Sequence, residues 1–296
     1  MTPSPIRRIV AGLTTLLAFS ACKEPQAPPN VGPGQIAFAS DRTGQFDLYV
    51  MNANGTAIHR LTDQLAFDFW PSWSPDGSRI AFTSDRDSQT GSVNLEIYVM
   101  NADGTGVARV TSDTAQDDEP AWSPDGTRLA FRSDRDGKDE IYVVNVDGTG
   151  LVRLTADTAS DVQPVWAPDG SKIAFVTTRD GNPEIYVMNA DGTGVVNLSA
   201  NPASDLGPAW SPDGTKLAFH SNRDGTFEIY VMNADGSGVV RLTNLSAPSE
   251  LPSWSPDGSR IAFDSDAEIY VVRADGTGLA RVTGTDAANY VPRWRP

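Results

Sequence analysis

Six tryptophans stand along this 296-residue chain at nearly constant spacing: Trp73, Trp122, Trp166, Trp210, Trp254 and Trp294, in steps of 49, 44, 44, 44 and 40 residues. The first five open the phrase Trp-(Ser/Ala)-Pro-Asp-Gly, from Trp73–Gly77 to Trp254–Gly258. An Ile/Leu-Ala-Phe follows each, then a second apolar run such as Glu184-Ile185-Tyr186-Val187-Met188, then Asp-Gly again. A unit of this length cannot bury its apolar faces alone, so neighbouring units must stack. Packing therefore explains most of the residues, and function is sought where the units differ.

One unit shows what each copy forms. Gln163–Trp166 reads as a short strand and Ala167–Gly170 as its turn; Lys172–Val176 returns, rich in β-branched and aromatic residues. Thr178–Pro183 is a loop, Glu184–Met188 a third strand, Asn189–Gly192 a turn, and Val195–Ser199 an outer strand. Both Asp-Gly turns suit a type I turn closed by glycine in the left-handed region. No segment sustains a helical period. The expectation is an all-β fold: a six-bladed β-propeller of four-stranded antiparallel blades over residues 34–296.

The ends predict how the ring closes. The chain enters at Gln35–Phe38, the second strand of a unit, and finishes at Tyr290–Trp294, a first strand. The last strand should complete the blade that Ile36 begins and hide two sheet edges.

Residues 1–21 differ from the rest: Arg7 and Arg8 precede an apolar run from Ile9 to Ala21, too short to span a bilayer as a helix. This reads as an export signal. Leu17-Ala18-Phe19-Ser20-Ala21-Cys22 resembles a bacterial lipobox, which implies cleavage before Cys22 and its lipidation; a non-lipidated export signal is the other reading. Lys23 resembles an outer-membrane sorting residue. Residues 22–33, rich in proline, read as a tether. Cys22 is the only cysteine, which excludes an internal disulfide and a cysteine zinc site. The expected location is the cell envelope, exported and lipid-anchored, with the propeller periplasmic or surface-facing.

With 23 Lys and Arg against 38 Asp and Glu, the net charge is −15, which argues against nucleic acid as a partner. Much of this acidity comes from turn aspartates copied once per unit. The surplus suits a basic partner or a cation.

Over nearly everything after residue 33, the repeated phrase resembles the TolB-type, WD-repeat-like, six-bladed propellers. That family carries an α/β domain ahead of its propeller, which contacts an inner-membrane Tol partner, while the propeller binds the peptidoglycan-associated lipoprotein. A short linker stands in that place here. The resemblance therefore implies a propeller that binds proteins, without implying a role in the Tol system.

Chemistry is sparse. The two histidines, His59 and His220, occupy different repeat positions, and no nucleophile elbow, phosphate loop or His-Glu-x-x-His occurs. The segment Asp134-x-Asp136-Gly137-x-Asp139 partly resembles a calcium loop. Alternatively, the arginine of each such loop pairs with the acid opening the next strand: Asp47, Glu96, Glu140, Glu184 or Glu228.

A second acidic set precedes the tryptophans: Asp68, Asp117, Asp161, Asp205 and, one place later in its unit, Glu250. Six-fold geometry would gather these at one mouth of the channel, where they could accept Ca2+ or a Lys/Arg side chain. The competing reading is that each caps its own loop.

The connector Asp63–Trp70 holds Phe67, Phe69 and Trp70, with Phe46 and Tyr290 from the neighbouring unit. These form either a protein-binding patch or a set of rings that bury one another. The insert Asp87–Asn94 accounts for the longest step and the short loop Ser265–Glu268 for the shortest. The residue after Ile/Leu-Ala-Phe varies from unit to unit, which makes Arg132, His220 and Asp264 further contact candidates.

The leading expectation is a monomeric, non-enzymatic, lipid-anchored propeller that binds an envelope protein or peptide. The alternatives are an envelope glycan lyase or hydrolase using the acidic mouth, and a purely structural component.

Overall fold

A computed structural model describes residues 34–88, 93–284 and 287–296. Cys22, the signal and the tether lie outside the described residues, as does the middle of the 87–94 insert. The described chain forms six four-stranded antiparallel sheets and contains no helix.

Blade 1 joins both ends of the chain: β1 (Gln35–Ser40), β2 (Asp47–Asn52) and β3 (His59–Arg60), with β24 (Asn289–Trp294) hydrogen-bonded to the free side of β1. Ile36 pairs with Trp294 and Ala39 with Tyr290, as the chain ends predicted. Blades 2–6 are each one uninterrupted unit. Their inner strands are β4 (Asp68–Trp73), β8 (Asp117–Trp122), β12 (Asp161–Trp166), β16 (Asp205–Trp210) and β20 (Ser249–Trp254). The second strands are β5 (Arg79–Ser84), β9 (Arg128–Ser133), β13 (Lys172–Thr177), β17 (Lys216–Ser221) and β21 (Arg260–Ser265). Third strands such as β6 (Glu96–Asn101) follow, and the outer strands, such as β7 (Ala108–Arg109), have only two residues. An edge that short offers little template for further pairing.

The six phenylalanines of Ile/Leu-Ala-Phe, from Phe38 to Phe263, have no exposed surface and lie between successive blades. Each sits across the pair from a third-strand tyrosine, as Phe82 does from Tyr98 with ring centres 5.8 Å apart. The inner-strand tryptophans pack towards the preceding blade: the Trp73 indole donates to Arg293 O, that of Trp122 to Ser72 O, and that of Trp254 to Ala209 O, all at 3.1 Å.

The two kinds of loop separate into two faces. Connectors hydrogen-bond the loops after the second strands, as Asp68 N–H does to Phe46 O; the Asp-Gly turns hydrogen-bond each other at the opposite end, as Ala102 N–H does to Ser78 O. These are called below the connector face and the turn face.

Candidate functional site: the channel and its connector-face mouth

The arginines of the second-strand loops are wired differently from the sequence expectation. In blades 2–5 they reach the aspartate that opens the inner strand: Arg86–Asp68 at 2.9 Å, Arg135–Asp117 at 2.8 Å, Arg179–Asp161 at 3.2 Å and Arg223–Asp205 at 3.0 Å. On its way each guanidinium lies over the Phe and Tyr rings of its blade, as Arg86 does 4.9 Å from the centres of both Phe82 and Tyr98. The acids opening the third strands pair with outer-strand arginines instead: Arg60–Asp47 at 2.6 Å, Arg109–Glu96 at 2.5 Å, Arg153–Glu140 at 2.7 Å and Arg241–Glu228 at 2.8 Å. In blade 4 Asn197 stands at that place and donates to Glu184.

This corrects the picture of a ring of open carboxylates. Asp68, Asp117, Asp161 and Asp205 have no exposed surface, and each faces an arginine of its own blade. Burial raises the carboxyls of Asp117 and Asp161, with hydrogen bonds and the arginine opposing it. The partial calcium loop is likewise engaged: Asp134 accepts from Gln116 N–H, Asp136 pairs with Arg153, and Asp139 pairs with Arg132. Among the described residues no three His, Cys, Asp or Glu side chains are placed to hold a metal ion.

The variable residues meet one place further along. Position two of each inner strand stands opposite the residue after Ile/Leu-Ala-Phe: Phe69 with Thr83, Asp118 with Arg132, Val162 with Val176, Leu206 with His220, Glu250 with Asp264, and Tyr290 with Ala39. In blade 3 the pair is complementary: Arg132 reaches Asp118 at 3.3 Å and also Asp139. In blade 6 it is two carboxyls, and burial followed by the Glu250 charge pushes Asp264 well above the usual carboxylate range.

A bulge follows in every blade, unannounced by the residue types that form it. Trp70, Glu119, Gln163, Gly207, Leu251 and Val291 have φ of 51°, 58°, 55°, 61°, 53° and 53°, each just before a proline. Only one of the six is glycine, so the bulge stores strain in bulky residues. In blades 4, 5, 6 and 1 blade-to-blade hydrogen bonds hold it. Gln163 N–H donates to Glu119 Oε2 at 2.7 Å, Gly207 N–H to Gln163 Oε1 at 2.8 Å, Leu251 N–H to His220 Nδ1 at 3.2 Å, and Val291 N–H to Asp264 Oδ1 at 3.2 Å.

His220 and Asp264 are thus inter-blade caps, each only 4% exposed. Burial holds the His220 imidazole neutral, with a pKa of about 3, so Nδ1 is the acceptor for Leu251. Burial likewise lifts Asp118 to about 6 and Glu119 to about 8; for Glu119 the neighbouring Asp118 charge adds to the effect and Arg132 opposes it.

The aromatic connector divides between the two readings. Phe46, Phe69 and Trp70 are buried, with Phe46 edge-on to Phe69 at 5.3 Å, while Phe67 and Tyr290 are half-buried at the rim of the same cluster. Trp70, Leu251 and Val291, from three inner strands, join that cluster on one side of the channel. Beside them the connector holds Leu65, which is 99% exposed, and the insert of blade 2 presents Val93, 52% exposed. Neither was among the residues singled out from the sequence, nor were Asp118, Glu119 and Arg293. Placing the units in register at the inner strand would have revealed the last three.

Comparison with known proteins agrees with the fold. A 53-residue stretch is 36% identical to the protein TolB homolog of Chlorobium luteolum, covering 18% of this chain and 12% of that protein. The structure resembles TolB from Acinetobacter baumannii with a TM-score of 0.78 at 23% identity, over 89% of this chain and 67% of that one. It resembles oligogalacturonate lyase from Vibrio parahaemolyticus with a TM-score of 0.58 at 18% identity, over 84% and 74%. The TolB beta propeller domain family matches residues 20–91, 88–149, 120–206 and 197–296, which together take in the whole repeat region, and the chain belongs to that family.

Proposed function

We propose that this chain is a non-enzymatic, lipid-anchored cell-envelope propeller that binds a protein or peptide partner on its connector face. Leu65 carries this reading: a leucine 99% exposed, in the one connector built of aromatics, two residues ahead of Phe67, which is half-buried at the rim of the cluster that Tyr290 also joins. Exposed apolar side chains at the rim of a packed aromatic cluster supply the anchor that protein interfaces use. Asp41, Asp85 and Asp87 lie in the adjoining loops, so a partner with basic residues around an apolar segment fits best. Membership of the TolB beta propeller domain family supports protein binding in general.

The lyase or hydrolase alternative has less to stand on. Asp118, Glu119 and Asp264 are acids raised by burial beside the channel, but Asp118 is paired with Arg132, Glu119 holds Gln163 N–H and Asp264 holds Val291 N–H. The likeness to a lyase is one of fold.

The test is capture from envelope extract with the wild-type protein and with Leu65→Ser. At such an exposed position the substitution should leave the melting temperature unchanged. It should weaken retention of the partner by about tenfold or more, the size of a lost hot spot. Unchanged retention would move the site off this connector.

A further inference from the structure

Blade-to-blade caps serve the bulges of blades 4, 5, 6 and 1, and among the described residues no such cap serves those of blades 2 and 3. Between blades 1 and 2 the side chains that would receive the Trp70 N–H are Ala39 and Val291, and neither has an acceptor atom. At the same seam stands Arg293, at the fifth inner-strand position, where the other blades carry Ser72, Ala121, Val165, Ala209 and Ser253. Its guanidinium carbon lies 6.0 Å from the Trp70 ring centre. Among the described residues no carboxylate lies within ion-pairing distance of Arg293, and its side chain donates to Pro292 O at 3.0 Å. Trp70 is 3% exposed, and its indole Nε1 is buried without a hydrogen-bond partner.

A buried N–H and a guanidinium without a carboxylate are costly to leave unpaired. Here they stand together, with no acceptor on the flanking side chains. We propose that Arg293 and the Trp70 indole N–H form a carboxylate seat in the channel, which receives an acidic side chain or the C-terminal carboxylate of the bound partner. The ligand's carboxylate brings to this seam a side-chain acceptor of the kind that Glu119, Gln163, His220 and Asp264 bring to four others, where the donor is a backbone N–H. The inference rests on the reading of the chain as a protein- or peptide-binding propeller.

The charges facing Arg293 permit it. Asp264 and Glu119 act on it from a distance, but each is engaged by a backbone N–H. Glu250 stands beside Asp264, and Arg132 with Asp118 beside Glu119. Burial raises both Asp264 and Glu119, and lifts Glu119 to about 8, which lessens the negative charge Glu119 presents near neutrality. A planar guanidinium beside an indole donor suits a two-oxygen acceptor better than a point anion.

The experiment follows the Trp70 indole N–H resonance in the full-length protein, assigned with Trp70→Phe. Three probes are titrated: acetyl-Ala-Ala-Glu-amide, acetyl-Ala-Ala-Ala with a free C-terminus, and the neutral acetyl-Ala-Ala-Gln-amide. A saturable shift with the first shows a side-chain carboxylate and with the second a chain terminus. The neutral peptide should give none. Arg293→Met should weaken binding of the active probe by about tenfold or more, the scale of a charge-assisted pair. Arg293→Lys serves if the methionine variant does not fold, and should lose most of the effect because the fork is gone.

If neither acidic peptide moves the resonance beyond the neutral one, or if both Arg293 variants bind as the wild type does, the seat is wrong. Envelope capture separates the two readings. A partner retained through Leu65 while the peptides fail overturns only the seat. Peptides that bind while the Leu65→Ser protein retains partners unchanged overturn only the connector-face reading.

Discussion

Blades 2–5 and blade 6 receive the same template and treat its charges differently. In blades 2–5 an arginine lies over a Phe–Tyr pair to reach a buried aspartate, so a carboxylate with no exposed surface is always matched. Blade 6 has lost both partners: Ser249 stands in place of the aspartate, and the loop is cut to Asp266-Ala267, with φ of 51° and 61°. There is no room in such a loop for the arginine. What remains is Glu250 opposite Asp264, two carboxyls where blade 3 has Asp118 opposite Arg132. The scaffold is thus carried by a repeated ion-paired cassette, and the blade that drops it turns its buried acid into a cap for its neighbour's backbone.

The most severe way to break this arrangement is to remove residues 289–296. Blade 1 would lose its inner strand, and the capped bulge at Val291 would go with it. The expected result is loss of cooperative melting, or a fall of more than about 10 °C in calorimetry. A truncated protein that melts with the full-length one would refute closure by β24.

A sharper cut compares two arginines in the same role. Arg223→Met leaves Asp205 buried and unpaired, and should cost about 3–5 kcal/mol in urea unfolding. Arg42 of blade 1 donates at 2.8 Å to Asn289, a neutral amide, so Arg42→Met should cost about 1 kcal/mol. Equal losses would show that charge is not what the cassette supplies.

The effects of pH have opposite signs at two buried groups. Folding lowers the His220 pKa from 6.5 to about 3, so its contribution is full above 6.5 and is lost as pH falls from there towards 3. Folding raises Glu119 from 4.5 to about 8, so stability falls as pH rises across that interval. His220→Gln should flatten the acid side of the stability profile and Glu119→Gln the neutral side. Both can be measured by denaturant midpoints at a series of pH values. A profile that either variant leaves unaltered would mean that its residue does not titrate as described.

The ring, its blade number and its closure were legible because they depend on contacts within a unit and on turn chemistry repeated in every copy. Arginine wiring was not. The second strand lies between the inner and third strands, so Arg86 had two acids within reach, Asp68 and Glu96, and the packing of Phe82 and Tyr98 decides for Asp68. The bulge was hidden for a related reason. Its left-handed residues are Trp70, Glu119, Gln163, Leu251 and Val291, with glycine only at Gly207, and in blades 4, 5, 6 and 1 what holds it is an acceptor from the preceding blade. Contacts between successive units leave no mark inside either unit. The aromatics of the Asp63–Trp70 connector carry a stronger sequence signal than the single Leu65 does.

The join in blade 1 has a mechanical side. β1 is the strand nearest the segment that precedes Gly34, and it is paired along both edges, with β2 and with β24. Gly34 lies at the turn face, where its carbonyl receives Ala53 N–H. A pull on the chain ahead of Gly34 runs along β1 and loads two hydrogen-bonded ladders at once, in shear. The first and last strands of the sequence then share the force, and the ring resists as a closed hoop instead of opening from an end.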